Sequence, residues 1–102
     1  MQLKPGSRWR SAVCETEVVV VRAPNGAVEL ECGGRSMLAH GQQQTTGALI
    51  AEGYGGGTRV GKRYADAESG LEVLCSKGGA GSLAANGRLI GAKEAKKLPS
   101  SD

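Results

Sequence analysis

The sequence predicts a small all-β protein, and three features carry that expectation. Glu17-Val18-Val19-Val20-Val21-Arg22 is a β-branched run of strand length. Ala27-Val28-Glu29-Leu30-Glu31-Cys32 alternates apolar with acidic residues, a period of two that puts Val28, Leu30 and Cys32 on one face. Seventeen glycines without a Gly-X-Y period imply many turns.

Taken in chain order, Trp9 to Cys14 offers a short lead-in strand. The valine strand follows, and Ala23-Pro24-Asn25-Gly26 is strong turn chemistry, because Asn and Gly tolerate positive φ. The spacing predicts that 17–22 and 27–32 pair as a hairpin ended by Gly33-Gly34. Residues 41–60 read as a Gly/Gln-rich connecting loop around the apolar interlude Ala48-Leu49-Ile50-Ala51. Gly70 to Ser76 is a second strand, Lys77-Gly78-Gly79-Ala80-Gly81 a turn, and Ser82 to Gly87 a return strand. Gly34-Arg35-Ser36-Met37 is echoed by Gly87-Arg88-Leu89-Ile90, so one order of elements occurs twice. The expected organisation is a first unit over 1–40, the loop 41–60, a second unit over 61–92 and a basic tail over 93–102. A helical turn is expected only near Ala92 to Lys97. The two units should pack together, since neither could bury a core alone. The expected core is Trp9, Val18, Val20, Val28, Leu30, Leu71, Val73 and Leu83.

Composition narrows function mainly by exclusion. Val, Ile and Leu supply 19 of 102 residues, and Phe is absent, so the core is thin. The net charge is only +3, which argues against disorder. Charge is evenly spread, with +5 and −4 over residues 1–51 and +8 and −6 over 52–102. No basic stripe carries interleaved aromatics, so nucleic acid is not the expected partner. The longest apolar run, Val18 to Val21, is far too short for a membrane span. No targeting segment is visible at Met1 to Gly6, and three cysteines suit a reducing compartment, so a cytoplasmic protein is expected.

Few residues carry recognisable chemistry. Gly56 to Lys62 fits half of a phosphate-binding loop, but Arg63 stands where a magnesium-binding Ser or Thr belongs. His40 has no second histidine beside it in the sequence. Asp66 and Glu68 read as solvated turn residues. No nucleophile-elbow or Cys–His arrangement suggests an enzyme. The cysteines are more informative. A hairpin would bring Cys14, before the valine strand, next to Cys32, at the end of its return. The glycines after Cys32 would let backbone N–H groups turn toward sulfur, as in a metal-binding knuckle. Two ligands fall short of the four that a tetrahedral site wants. Cys75 sits in a strand, where cysteine also serves as a small core residue.

Residues 9–37 resemble the knuckle units of desulforedoxin and of the N-terminal domain of desulfoferrodoxin, a rubredoxin-like family. That pattern has an aromatic, Cys-x-x-Cys-Gly, an apolar strand, a Gly-rich turn and a strand ending Cys-Cys-Gly-x-x-Met. Ser11-Ala12-Val13-Cys14 and Cys32-Gly33-Gly34-Arg35-Ser36-Met37 stand at the two motifs. Ser11 and Gly33 replace two of the four thiolates. In the second segment, Asp66-Ala67-Glu68-Ser69-Gly70 and Ala85-Asn86-Gly87-Arg88-Leu89-Ile90 stand at the same positions with no cysteine ligand. The resemblance implies two packed knuckle-like β units and argues against the family's iron chemistry, which needs four sulfurs. It also implies that Cys14 and Cys32 have adjacent side chains, reduced in the cell and able to oxidise, with Cys75 apart.

The first functional expectation is therefore a non-enzymatic accessory protein without cofactor, binding a larger cytosolic subunit; a homodimer is the other assembly considered. The alternative is a zinc, iron or thiol redox protein using Cys14 and Cys32. A third reading, a small enzyme with Cys75 or Cys14 as nucleophile, has no visible base to support it.

Overall fold

Ten short strands account for the regular structure of the computed structural model, which describes residues 1–39, 41–42 and 49–92. They are β1 (Arg8–Arg10), β2 (Glu17–Arg22), β3 (Leu30–Cys32), β4 (Arg35–Ser36) and β5 (Leu38–Ala39), then β6 (Arg63–Ala65), β7 (Glu72–Lys77), β8 (Leu83–Ala85), β9 (Arg88–Leu89) and β10 (Gly91–Ala92). The expected all-β class holds: the described residues form two antiparallel sheets and no helix. None of them forms a helix long and apolar enough to cross a membrane. His40, the lysines of the tail and the helical turn expected beyond Ala92 lie outside the described residues.

One sheet has the order β10-β6-β7-β2-β1-β5 and the other β4-β3-β8-β9. Both orders read alike from either end once each strand of the first half is matched to the strand five places later. The matched strands also have equal lengths. The chain is thus folded about an internal pseudo-twofold axis. In the larger sheet the axis passes Val19 opposite Leu74, flanked by Val18 opposite Cys75 and Val20 opposite Val73. In the smaller sheet it passes Glu31 opposite Ala84, flanked by Leu30–Ala85 and Cys32–Leu83. Loop hydrogen bonds repeat too: Met37 N–H donates to the Leu30 carbonyl, and Ile90 N–H to that of Leu83.

The expected hairpins between 17–22 and 27–32, and between 70–76 and 82–87, do not form. β2 pairs with β1 and β7, whereas β3 pairs with β4 and β8 in the other sheet. The reason is burial. Val18 and Val20 on β2, and Leu30 and Cys32 on β3, are all buried and belong to one cluster. Crossing between sheets lets these apolar faces cover each other. Pairing them edge to edge would leave both facing the same way. The Pro24-Asn25-Gly26 segment is therefore a crossover, held by Asn25 N–H on the Ser69 carbonyl. The real hairpins are β1–β2, β3–β4, β6–β7 and β8–β9.

Seven of the eight expected core residues are buried. Trp9 is the exception. It is partly buried against the cluster, with its indole N–H on Ser7 Oγ at 3.0 Å, so its polar edge stays near the surface. Leu3, Met37, Tyr64, Cys75, Ala85 and Ile90 complete much of the cluster. The described end of the connecting loop is also ordered by packing. Ile50 and Ala51 lie over Gly33 and Gly34, and Ala51 N–H donates to the Gly33 carbonyl.

Candidate functional site

The β1–β2 hairpin loop builds the first half of the site. Ser11 N–H donates to the Thr16 carbonyl at 2.8 Å and closes the loop. Ser11 Oγ accepts from the backbone N–H groups of Val13 and Cys14, at 3.0 and 3.1 Å. A serine so placed fixes the turn by offering the backbone a local acceptor. Cys14 Sγ then lies 3.3 Å from both Ser11 Oγ and Thr16 Oγ1. Ser11 and Thr16 are fully buried, and Cys14 is partly exposed.

The second half comes from β3. Cys32 ends that strand fully buried, and its Sγ is 3.8 Å from Cys14 Sγ. Gly33 follows with φ +67°, and Val13 and Ile50 occupy the space a side chain there would need. The β7–β8 connection packs against both sulfurs. A Cβ on Gly79 would come within 3.0 Å of Cys14 Sγ, and one on Gly81 within 3.0 Å of Cys32 Sγ. Glycine is needed at 79 and 81 for this close approach. Cys75 points elsewhere in its bonding: its thiol donates to the Lys77 carbonyl at 3.2 Å.

The two facing thiols have opposite tendencies. Burial disfavours ionisation of Cys14, but hydrogen bonds from the Ser11 and Thr16 hydroxyls and the Thr16 and Gly81 backbone outweigh it. Together they lower its pKa from 9.0 to about 7. Burial, reinforced by the neighbouring Cys14 charge, pushes Cys32 up to about 12. Burial also raises Cys75. Cys14 therefore ionises first, around neutral pH, while Cys32 stays protonated there, and the two protons of the pair leave in well-separated steps.

The corresponding corner of the second half is an ion-pair cluster. Asp66 is buried, contrary to its reading as a solvated turn residue. Its Oδ2 accepts from Ser69 Oγ at 2.6 Å and Arg88 Nη2 at 2.8 Å. Burial alone would raise its pKa, but Ser69 and Arg88 win and lower it. Glu68 is exposed and pairs with Arg88 Nε at 3.0 Å. The turn residue went astray because its partner, Arg88, is distant in sequence.

Of the sequence-derived candidates, Ser11, Cys14 and Cys32 come together, and Gly33 contributes backbone alone. Among the described residues, no three or more His, Cys, Asp or Glu side chains gather to hold a metal ion. Sequence reading missed Thr16, Gly79 and Gly81; the only signal for the glycines was their density in what read as a turn. Comparison with family models, curated proteins and solved structures returns no match for this chain.

Proposed function

We propose that this protein is a small thiol–disulfide exchange module, with Cys14 as the attacking thiolate and Cys32 as the resolving thiol. The observation that carries this reading is the 3.8 Å separation of the two sulfurs, one partly exposed and one buried. Cys14 attacks one sulfur of a disulfide R–S–S–R. That S–S bond breaks, and the leaving RS⁻ takes up a proton. In the resulting mixed disulfide Cys14 carries no charge, so part of what held Cys32 protonated is gone. Cys32 gives up its proton, attacks Cys14 Sγ and expels the second RS⁻. The disulfide gains two electrons and becomes two thiols, while the protein becomes the Cys14–Cys32 disulfide. Closing it moves the sulfurs from 3.8 Å to about 2.05 Å.

The test is a Cys32→Ser variant treated with a small neutral disulfide. Cys14 should accumulate as a stable mixed disulfide, while the native pair resolves and releases both thiols. A native protein that stops at the mixed disulfide contradicts the reading.

A second reading is the accessory subunit expected from the sequence, which needs no thiol chemistry. Its support is apolar surface: Leu49, Val60 and Leu89 are 77%, 67% and 59% exposed. A Cys14→Ser, Cys32→Ser double variant that still purifies with a stoichiometric larger subunit would favour it.

A further inference from the structure

A cleft of about 400 Å³ shares the wall residue Gly79 with the thiol site. It is lined by Gly56, Gly57, Thr58, Arg59, Lys62, Tyr64, Gly79 and Ala92. Among the described residues, its two charged lining residues are both cations. They are brought together by a turn. Lys62 N–H donates to the Arg59 carbonyl, and Gly61 adopts φ +83°. Arg59 and Lys62 thus occupy the first and last positions of a β-turn, where chain ends lie close. Arg59 N–H is fixed on the Tyr64 hydroxyl at 3.0 Å.

The cleft is joined to the thiols through one residue. Thr58 and Gly79 form a two-way backbone bridge, Thr58 N–H to the Gly79 carbonyl at 2.9 Å and Gly79 N–H to that of Thr58 at 3.1 Å. Thr58 Oγ1 also donates to the Gly81 carbonyl at 2.5 Å. Gly79 lines the cleft and packs against Cys14 Sγ. The cationic turn therefore begins one residue after the residue paired to the wall of the thiol site. The size suits a small molecule with a few polar groups rather than a protein face.

Resting on the thiol-exchange reading above, we propose that the cleft selects the disulfide substrate. Arg59 and Lys62 bind the carboxylates of an anionic, low-molecular-weight disulfide and bring its sulfur to Cys14. The exchange is the one written above, with the carboxylate-bearing thiols as its two leaving groups. Opposite charge around a partly exposed thiol speeds encounter and orients the reactant, and salt weakens both effects.

The experiment measures the rate at which Cys14 reacts with three disulfides: oxidised glutathione, which is anionic, cystamine, which is cationic, and neutral hydroxyethyl disulfide. The native protein should favour the anionic over the cationic reagent by roughly tenfold at low salt. Arg59→Gln, Lys62→Gln should lose most of that preference and keep its rate with the neutral reagent. Lys4→Gln, removing an exposed lysine of the N-terminal turn, should keep the preference. If the neutral reagent reacts no faster than with the unfolded chain, the thiol-exchange reading itself fails. If it reacts fast but charge preference is absent, or is equally reduced by Lys4→Gln, the cleft proposal alone is overturned.

Discussion

A Cβ at position 79 would sit 2.7 Å from the Thr16 backbone nitrogen and 3.0 Å from Cys14 Sγ. Backbone cannot give way as a flexible side chain can, so Gly79→Ala should destabilise the fold by about 1–3 kcal/mol. It should also disturb the hydroxyl cradle of Cys14. Thermal melting reads the first effect, and the pH midpoint of Cys14 alkylation the second; an unchanged melt and midpoint would contradict the packing described. The same cradle makes stability pH-dependent. The Cys14 pKa is lowered from 9.0 to about 7, so its thiolate contributes stability that is full above pH 9 and lost as pH falls toward 7. The Cys32 pKa is raised from 9.0 to about 12, so its contribution is full below pH 9 and lost as pH climbs toward 12. Denaturant unfolding should therefore show stability rising from pH 7 to 9 and falling beyond it. Cys14→Ser should remove the rise. At this scale the two cysteines were legible from their positions around the valine run. Thr16 was not, because a lone threonine before a strand carries no signal of what its hydroxyl will touch.

Alternation of residue type tells which face of a strand is buried, but not which strand lies beside it. That is why the buried face of β3 was readable in the sequence while its pairing with β4 and β8 was not. Val20 is 1% exposed and Val21 39%. Val20→Asp should prevent stable folding or cost well over 3 kcal/mol, because a buried charge there has no partner. Val21→Asp should change stability by less than about 0.5 kcal/mol. Comparable effects at the two positions would mean that β2 does not present this face to the core. The β6–β7 and β8–β9 hairpins meet at a different kind of contact. Arg88→Gln leaves the buried Asp66 carboxylate without its cation and should cost about 1–3 kcal/mol at neutral pH. The lowered Asp66 pKa places its contribution above the ordinary carboxylate range, so the loss should fade as pH falls through that range. A penalty that persists undiminished in acid would sink this assignment. Short strands such as β4, β9 and β10 were not legible, since two residues hold too little pattern.

The described residues form two copies of a five-strand pattern arranged about one axis. One half has Ser11, Cys14 and Cys32; counted from the matched strands, the other has Asp66, Ser69 and Ala85 at the same positions. The repeat was visible in Gly34-Arg35 and Gly87-Arg88, since φ is positive at 33–34 and again at 86–87 and few residues suit that backbone. The palindromic sheets were not visible, because which strands meet across the axis depends on contacts between the halves. The second half holds the Asp66 corner by charge, and the proposed function assigns electron exchange to the facing thiols of the first. That claim is tested most directly by equilibrating the native protein in a graded thiol–disulfide buffer and mapping its bonds by mass spectrometry. One reversible two-electron transition is expected, with Cys14 joined to Cys32 in the oxidised form and Cys75 free throughout. Oxidation that joins Cys75 instead, or mixed disulfides at Cys14 with no Cys14–Cys32 bond at any ratio, would contradict it.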